Sequence, residues 1–246
     1  MKFSIITAVY NNVNEISRAV NSVLSQTHSD IEYIIIDGAS TDGTCEVIKS
    51  FGSRISKFLS EPDKGIYDAL NKGISLASGD VVGLLHSDDI FESTNSIENI
   101  AKIFQKTNCD AVYGDLLYVA KNEPSKIIRN WKSAPFRVEN FRRGWMPAHP
   151  TLFVKKKVYD EFGLFDPHYK IAADYDWMLR TLGSGRLSCE YLPEVISRMK
   201  LGGASNKSLK NIWKKSYEDW QALRKNKAGG IYTLFMKNVS KLGQFV

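Results

Sequence analysis

Val81-Val82-Gly83-Leu84-Leu85-His86-Ser87-Asp88-Asp89-Ile90-Phe91 runs from a short apolar segment straight into two adjacent acids. A Val- and Leu-rich run of that length, preceded by Gly79-Asp80, reads as a strand buried on both faces. Acids at the end of a parallel strand stand on its C-terminal edge, where open α/β sheets bind ligands. Two neighbouring carboxylates repel unless a cation or solvent intervenes. Hard oxygen donors of this kind suit Mg²⁺ or Mn²⁺, commonly shared with phosphates. The competing reading is a helix N-cap, with Glu92 and a Ser-Thr-Asn turn following.

Upstream, the same pattern recurs three times. Lys2 to Tyr10, Ile31 to Ile36 and Ile55 to Ser60 read as strands. They end at Asn11-Asn12, at Asp37-Gly38-Ala39-Ser40-Thr41-Asp42-Gly43 and at Glu61-Pro62-Asp63-Lys64-Gly65. Asn14 caps a helix with Ile16, Ala19, Val20, Val23 and Leu24 on one face. Thr41 or Asp42 caps a second, with Val47, Ile48 and Phe51 inward, and a third turns Ile66, Ala69, Leu70 and Ile74 inward. Alternating strands and helices predict an α/β fold: a mainly parallel, Rossmann-like sheet with helices on both faces. Four successive polar loops predict a polar cleft along one sheet edge. Neither the dinucleotide-binding nor the P-loop glycine pattern is present.

Downstream, Glu98 to Lys106 reads as a helix, and Ala111 to Val119 and Lys126 to Trp131 as antiparallel strands. Gly144-Trp145-Met146-Pro147-Ala148-His149-Pro150 reads as a loop. Thr151 to Val154 reads as a short strand and Ala172 to Leu182 as a helix bearing Asp174 and Asp176. Gly202-Gly203-Ala204-Ser205 reads as a hinge. From Ser208 the chain reads as a helix with Leu209, Ile212, Trp213, Tyr217, Trp220 and Leu223. One main unit is expected over 1–205, split into halves 1–120 and 121–205, with a basic amphipathic tail over 206–246.

At 246 residues, 43% hydrophobic and 24% charged, the composition is that of one ordinary globular domain with or without an appendage. No run approaches the roughly 18 apolar residues of a membrane span, and the N-terminus lacks the shape of a signal peptide. Cys45, Cys109 and Cys189 are far apart and odd in number, as reduced cytosolic thiols are. The net charge of +6 is unevenly spread: −7 over 1–120, +8 over 121–157, −2 over 158–205 and +7 over 206–246. Basic blocks suggest an anionic partner. Nucleic acid is disfavoured, because the loops of the first half are acidic and would repel its phosphates.

Several separate motifs resemble the family-2 glycosyltransferases of the GT-A fold. Ser4-Ile5-Ile6-Thr7-Ala8-Val9-Tyr10-Asn11 is similar to the family's first strand and nucleotide loop. Ile36-Asp37-Gly38-Ala39-Ser40-Thr41-Asp42-Gly43-Thr44 is similar to its uracil-side motif. Glu61-Pro62-Asp63-Lys64-Gly65-Ile66-Tyr67-Asp68-Ala69-Leu70-Asn71-Lys72-Gly73 and Gly202 to Ser205 resemble the bacterial subgroup that builds surface polysaccharides of the O-antigen or colanic-acid type. Ser87-Asp88-Asp89 stands where the family has its D-x-D, and Ala173-Asp174 where it usually has Glu-Asp. His86 stands where many members carry Asp or Asn.

The resemblance implies an inverting transfer of a sugar from a UDP-sugar, assisted by Mn²⁺ or Mg²⁺ at Asp89, with Asp174 as general base and Asp176 as fallback. It implies donor contacts at Thr7, Val9, Tyr10, Asp37, Lys64, Asp68 and Asp88. Trp145 and His149 are candidates for the acceptor side, each weighed against a structural role. The implied acceptor is a saccharide on a polyprenyl diphosphate lipid. The protein would then work in the cytoplasm, peripheral to the inner membrane face, with the tail on anionic lipid; homodimerisation stays open. The competing readings are an inactive nucleotide-sugar-binding homologue and a sugar nucleotidyltransferase. The second lacks the Gly-rich, cationic N-terminal loop that a triphosphate needs.

Overall fold

Phe3-Ser4-Ile5-Ile6-Thr7-Ala8-Val9 forms strand β1 with every residue buried, because its sheet is covered on both faces. The two polar members are paired: Ser4 Oγ donates to Glu32 Oε2 at 2.6 Å, and Thr7 Oγ1 lies 3.1 Å from the Tyr33 hydroxyl. The computed structural model describes residues 1–201, 209–240 and 244. After β1 (Phe3–Val9) come α1 (Ile16–Leu24), β2 (Ile31–Asp37), α2 (Thr44–Ser50), β3 (Lys57–Ser60), α3 (Ile66–Leu76) and β4 (Val81–Leu84). Then follow β5 (Ile90–Phe91), α4 (Ser96–Thr107), β6 (Ala111–Val119), β7 (Ile127–Trp131) and α5 (Glu139–Arg142). The chain continues with β8 (Phe153–Lys155), α6 (Lys156–Phe162), α7 (Ala173–Arg180), β9 (Cys189–Lys200), α8 (Leu209–Lys225) and α9 (Ile231–Val239).

One sheet runs β3-β2-β1-β4-β8-β6-β9-β5, with β7 also paired to β6. β3, β2, β1 and β4 are mutually parallel, as are β6 and β9, so the long ladders are parallel and the sheet mainly so. β8 joins the halves by pairing antiparallel with both β4 and β6. Neighbours along a strand point to opposite faces. Ile5, Tyr33 and Ile35 therefore pack with Ile16, Val20, Ile48, Ile100 and Phe104 of α1, α2 and α4. Ile6, Ile34 and Ile36 face the other layer, with Leu70 of α3, Trp177 of α7 and Leu223 of α8.

Local expectations shift in five places. Asn14 does not cap α1: Glu15 is its N-cap residue, with no side-chain bond. Gly43, at φ 96°, is the N-cap residue of α2, while Asp42 Oδ1 still accepts from the Thr44 amide at 3.0 Å. Ile66, expected inward, is exposed, because it is the first residue of α3 and precedes the helix's buried stripe. The strand expected from Thr151 begins at Phe153, after a tight 3₁₀ turn over His149–Thr151 whose first helical positions include Pro150. The tail is two helices, α8 and α9, parted at Gly229-Gly230. The expected Gly202–Ser205 hinge lies outside the described residues.

The two C-terminal helices pack on the rest of the chain. Gly144, at φ 80°, lets the loop before β8 come so close that an added Cβ would strike the Lys237 and Thr233 backbone. Thr233 Oγ1 donates to the Arg142 carbonyl at 2.8 Å, and buried Lys237 pairs with Asp219 at 2.7 Å.

Candidate active site

The loops after β1, β2 and β4 are laced together at one sheet edge. The Asn11 backbone N–H donates to Ser40 Oγ at 2.8 Å, and Asn11 Oδ1 accepts from the Thr41 amide at 2.9 Å. Asn12 reaches both ways: its amide nitrogen donates to Thr44 Oγ1 and its side chain to Ser87 Oγ, each at 2.9 Å. These ties frame a cleft of about 860 Å³ whose walls include Tyr10, Asn12, His86, Asp88, His149 and Asp174.

Of the residues expected on the nucleotide side, Tyr10 stands exposed on the cleft wall. Thr7 and Val9 are buried in β1 beneath it. Asp37 is fully buried at the end of β2 and accepts from Ser40 Oγ, the Ser40 amide, Ser60 Oγ and Cys45 Sγ. Burial acts to raise this carboxyl, and those hydrogen bonds outweigh it and hold it below the usual carboxylate range. Asp37 thus folds its own loop into shape. Gly38 lies where any Cβ would crowd Asp63 and the Tyr10 ring. Asp68, in the first turn of α3, accepts from the Lys64 amide at 3.0 Å. Neither Lys64 nor Asp68 lines the cleft.

Asp88 lines the cleft, with Asp89 behind it and fully buried. Neither Asp89 oxygen has a well-formed hydrogen bond from any described residue. Burial, and then the Asp88 charge, push its carboxyl well above the usual range; the Lys200 backbone N–H works the other way. No group of three metal-ligating side chains occurs among the described residues. A hard divalent ion needs only one or two protein carboxylates when phosphates complete its shell. Two adjacent carboxylates, one of them orphaned, fit that requirement.

The cleft also carries a chain of contacts that join residues distant in sequence. Asp174 lies in the first turn of α7. Its Oδ1 accepts from the Tyr67 hydroxyl at 3.0 Å, and its Oδ2 lies 2.9 Å from His149 Nδ1. His149 Nε2 lies 3.2 Å from His86 Nε2. Burial raises the Asp174 carboxyl, but the His149 ring, with Lys237 and Tyr67, holds it far below the usual range. His86 is lowered to about 4, by burial first and then by His149. Trp145 packs edge-on against Tyr113 and Phe141 and does not line the cleft; Met146 beside it does. Asp176 is fully buried, bonded to Asn226 at 2.9 Å and 3.4 Å from Arg180, so it holds the end of α8.

Three participants escaped sequence reading. Glu218 of α8 accepts from the backbone N–H groups of Lys170, Ile171 and Ala172 and so secures the start of α7. Its signal, an acid within an otherwise basic tail, points to no partner. Tyr67 and the His86–His149 contact come from pairings across the fold with no periodic trace.

Comparison with known proteins agrees with this architecture. Residues 4–159 match the Glycosyl transferase family 2 model. A PGL/p-HBAD biosynthesis glycosyltransferase of Mycobacterium bovis is 28% identical over 209 residues, covering 83% of this chain and 79% of the relative. An uncharacterized glycosyltransferase of Mycobacterium tuberculosis is 30% identical over 179 residues, covering 72% and 67%. Among solved structures, a 1–349 form of S. aureus TarS in complex with UDP-GlcNAc superposes with TM-score 0.70 at 16% identity, covering 92% of this chain and 65% of that one. The chain spans only 40% of a longer TarS chain. Mannosyltransferase PcManGT from Pyrobaculum calidifontis, in complex with GDP-Man and Mn²⁺, gives 0.68 at 16% identity, covering 96% and 68%. The structural likenesses establish a common GT-A fold, and the match running from β1 into α6 covers more than half the sequence. The chain belongs to glycosyl transferase family 2.

Proposed function

We propose that this protein transfers a sugar from a UDP-sugar, with inversion, to a saccharide carried on a polyprenyl diphosphate lipid, in the synthesis of a surface polysaccharide. One observation carries the reading: a single cleft is lined both by Asp88 and by the His149–Asp174 pair. Inverting displacement needs both kinds of group, one to receive the leaving diphosphate and one to take the proton of the attacking hydroxyl. The complexes of TarS with UDP-GlcNAc and of PcManGT with GDP-Man support a nucleotide-sugar donor here.

Asp88 and Asp89 are the residues that would hold Mn²⁺ or Mg²⁺. Such an ion neutralises charge developing on a departing diphosphate. Tyr10 borders the cleft where a base could stack, and the loop held by Asp37 sets that border. The Asp174 wall receives the proton of the attacking hydroxyl.

A membrane-bound acceptor is supported by the tail. No helix among the described residues is long and apolar enough to cross a membrane. Trp213 and Tyr217 on α8, and Ile231, Tyr232 and Phe235 on α9, are exposed, and the 206–246 segment carries net +7. Exposed aromatics beside lysines suit an anionic lipid surface.

The test is UDP release across a panel of UDP-sugars plus GDP-mannose, with Mn²⁺, Mg²⁺ or chelator and with alkyl glycosides as acceptors. Acceptor-stimulated UDP release from one UDP-sugar is expected. Release confined to GDP-mannose would overturn the donor assignment, and binding without turnover would favour the inactive homologue.

A further inference from the structure

The transfer reaction just proposed, on which this inference rests, makes Asp174 the base. We propose that Tyr67 of α3 is the positioning residue for that base, its hydroxyl fixing the angle at which the carboxylate meets the acceptor. Within the Glu61–Gly73 motif, Lys64 and Asp68 lie off the cleft, whereas Tyr67 lines it together with Asp174. The Tyr67 hydroxyl stands 2.7 Å from the Ile171 carbonyl and 3.0 Å from Asp174 Oδ1. A carbonyl and an ionised carboxylate only accept, so the hydroxyl is the donor and shares its proton between them. Burial, and then the Asp174 charge, push this hydroxyl well above the usual phenol range, so it keeps that proton.

The contact orients the carboxylate without occupying it. An Asp side chain turns readily about its last bond. Here Oδ1 is held by Tyr67 and Oδ2 lies 2.9 Å from His149 Nδ1, so turning breaks one contact or the other. Each carboxylate oxygen accepts at about two positions. The second position on each remains for a hydroxyl in the cleft, towards which the side chain keeps 16% of its surface open.

The surrounding backbone is held by other groups. Glu218 accepts from the Lys170, Ile171 and Ala172 amides. Asn71, four residues from Tyr67 and on the same face of α3, donates to the Phe165 carbonyl at 2.8 Å and accepts from its amide at 3.0 Å. The Tyr67 ring rests against Phe165, with centroids 5.6 Å apart. Removing the hydroxyl alone leaves these ties in place and releases one side of the Asp174 carboxylate. The loop before α3 is bonded to the end of β2, where the Glu61 amide donates to the Asp37 carbonyl at 3.0 Å. Tyr67 thus sets the base against the half of the protein expected to hold the donor.

The step it serves balances. The acceptor oxygen forms a bond to the anomeric carbon while its proton moves to Asp174. The bond from that carbon to the diphosphate oxygen breaks, and its electron pair leaves with UDP.

A double-mutant cycle provides the test. Turnover, UDP affinity and melting temperature are measured on the full chain with the UDP-sugar that the wild type uses. Tyr67→Phe keeps the ring and is expected to lose about 10–10²-fold in kcat with UDP affinity unchanged. Asp174→Asn is expected to lose at least about 10²-fold. Adding Tyr67→Phe to Asp174→Asn then costs little more, because residues that act as one unit are not additive. A merely structural Tyr67 would lower kcat by the same factor in both backgrounds, and that result overturns the proposal. So does a Tyr67→Phe enzyme with unchanged or raised kcat. If Tyr67→Phe melts early, the cycle is run below the melting point of all four forms, and the coupling decides. Full turnover in Asp174→Asn removes the base and the proposal with it. A wild type without acceptor-stimulated UDP release ends the reaction reading itself.

Discussion

Asp89 combines full burial, a carboxylate without a well-formed hydrogen bond and an acidic neighbour. Leaving such a group unsatisfied costs about 1–3 kcal/mol. Because its folded-state carboxyl is raised, the folded form holds its proton above the pH where the unfolded form releases it. Stability therefore falls as pH rises from about 4. Asp89→Asn should flatten that slope and raise the melting temperature in chelator, by about 2–4 °C per kcal/mol relieved in a chain this size. The same substitution should abolish any gain in melting temperature from Mn²⁺ with UDP. Thermal melts from pH 4 to 8 check both, and an Asn variant that still gains from Mn²⁺ would remove Asp89 from the site. The acids of this strand end were legible in sequence, since an apolar run leads directly into them. The His149–Asp174–Tyr67 contacts were not, because they join a 3₁₀ turn, a helix start and a second helix that share no local pattern.

At the level of elements, α7 depends on α8. The first backbone N–H groups of a helix need outside acceptors, and Glu218 supplies them for the segment leading into α7. Hydrogen bonds to a charged acceptor contribute about 1.5–3 kcal/mol each, so Glu218→Ala should destabilise the fold by several kcal/mol and lower kcat more than donor affinity. Glu218→Gln keeps one acceptor oxygen and should recover part of both. Denaturant melts and steady-state kinetics separate the effects, and an Ala variant with normal kcat would show that α7 holds its position unaided.

The β1–β4 half was readable because its strands are short runs dominated by apolar residues and each helix carries a clean stripe. β9 was not. Its twelve residues include Pro193 and alternate irregularly between buried and exposed, and its register against β6 slips on both sides of Asp115. Only its long-range pairing makes it a strand, and pairing partners leave no mark in a single sequence.

Across the whole molecule, the tail's aromatic stripe does not serve the core. α8 turns Glu218, Asp219, Ala222 and Leu223 inward, while Trp213 and Tyr217 face out at 78% and 58% exposure. α9 adds Ile231 and Phe235, four residues apart and therefore on one face. Exposed apolar side chains on both helices are candidates for an interaction surface. Vesicles containing anionic lipid should sediment the protein at low salt. Trp213→Ala with Phe235→Ala should weaken binding at any salt, while Lys214→Ala with Arg224→Ala should lose about 30-fold at low salt only, at about 1 kcal/mol per basic residue. Equal sedimentation with neutral and anionic vesicles would exclude the charge contribution, and no sedimentation with either would point to a protein partner.

The contact from Glu218 to the start of α7 also sets a timetable. A ribosome releases the chain from its N-terminal end at about 5–20 residues per second. Residues 1–200 emerge with every strand of the sheet present, yet the acceptor for the Lys170–Ala172 amides is still unmade. The nascent protein therefore passes through some seconds in which the start of α7 lacks the acceptor that fixes it. A chain cut short before Glu218 would carry the sheet but lack both the fixed start of α7 and the Ala222 and Leu223 packing of α8.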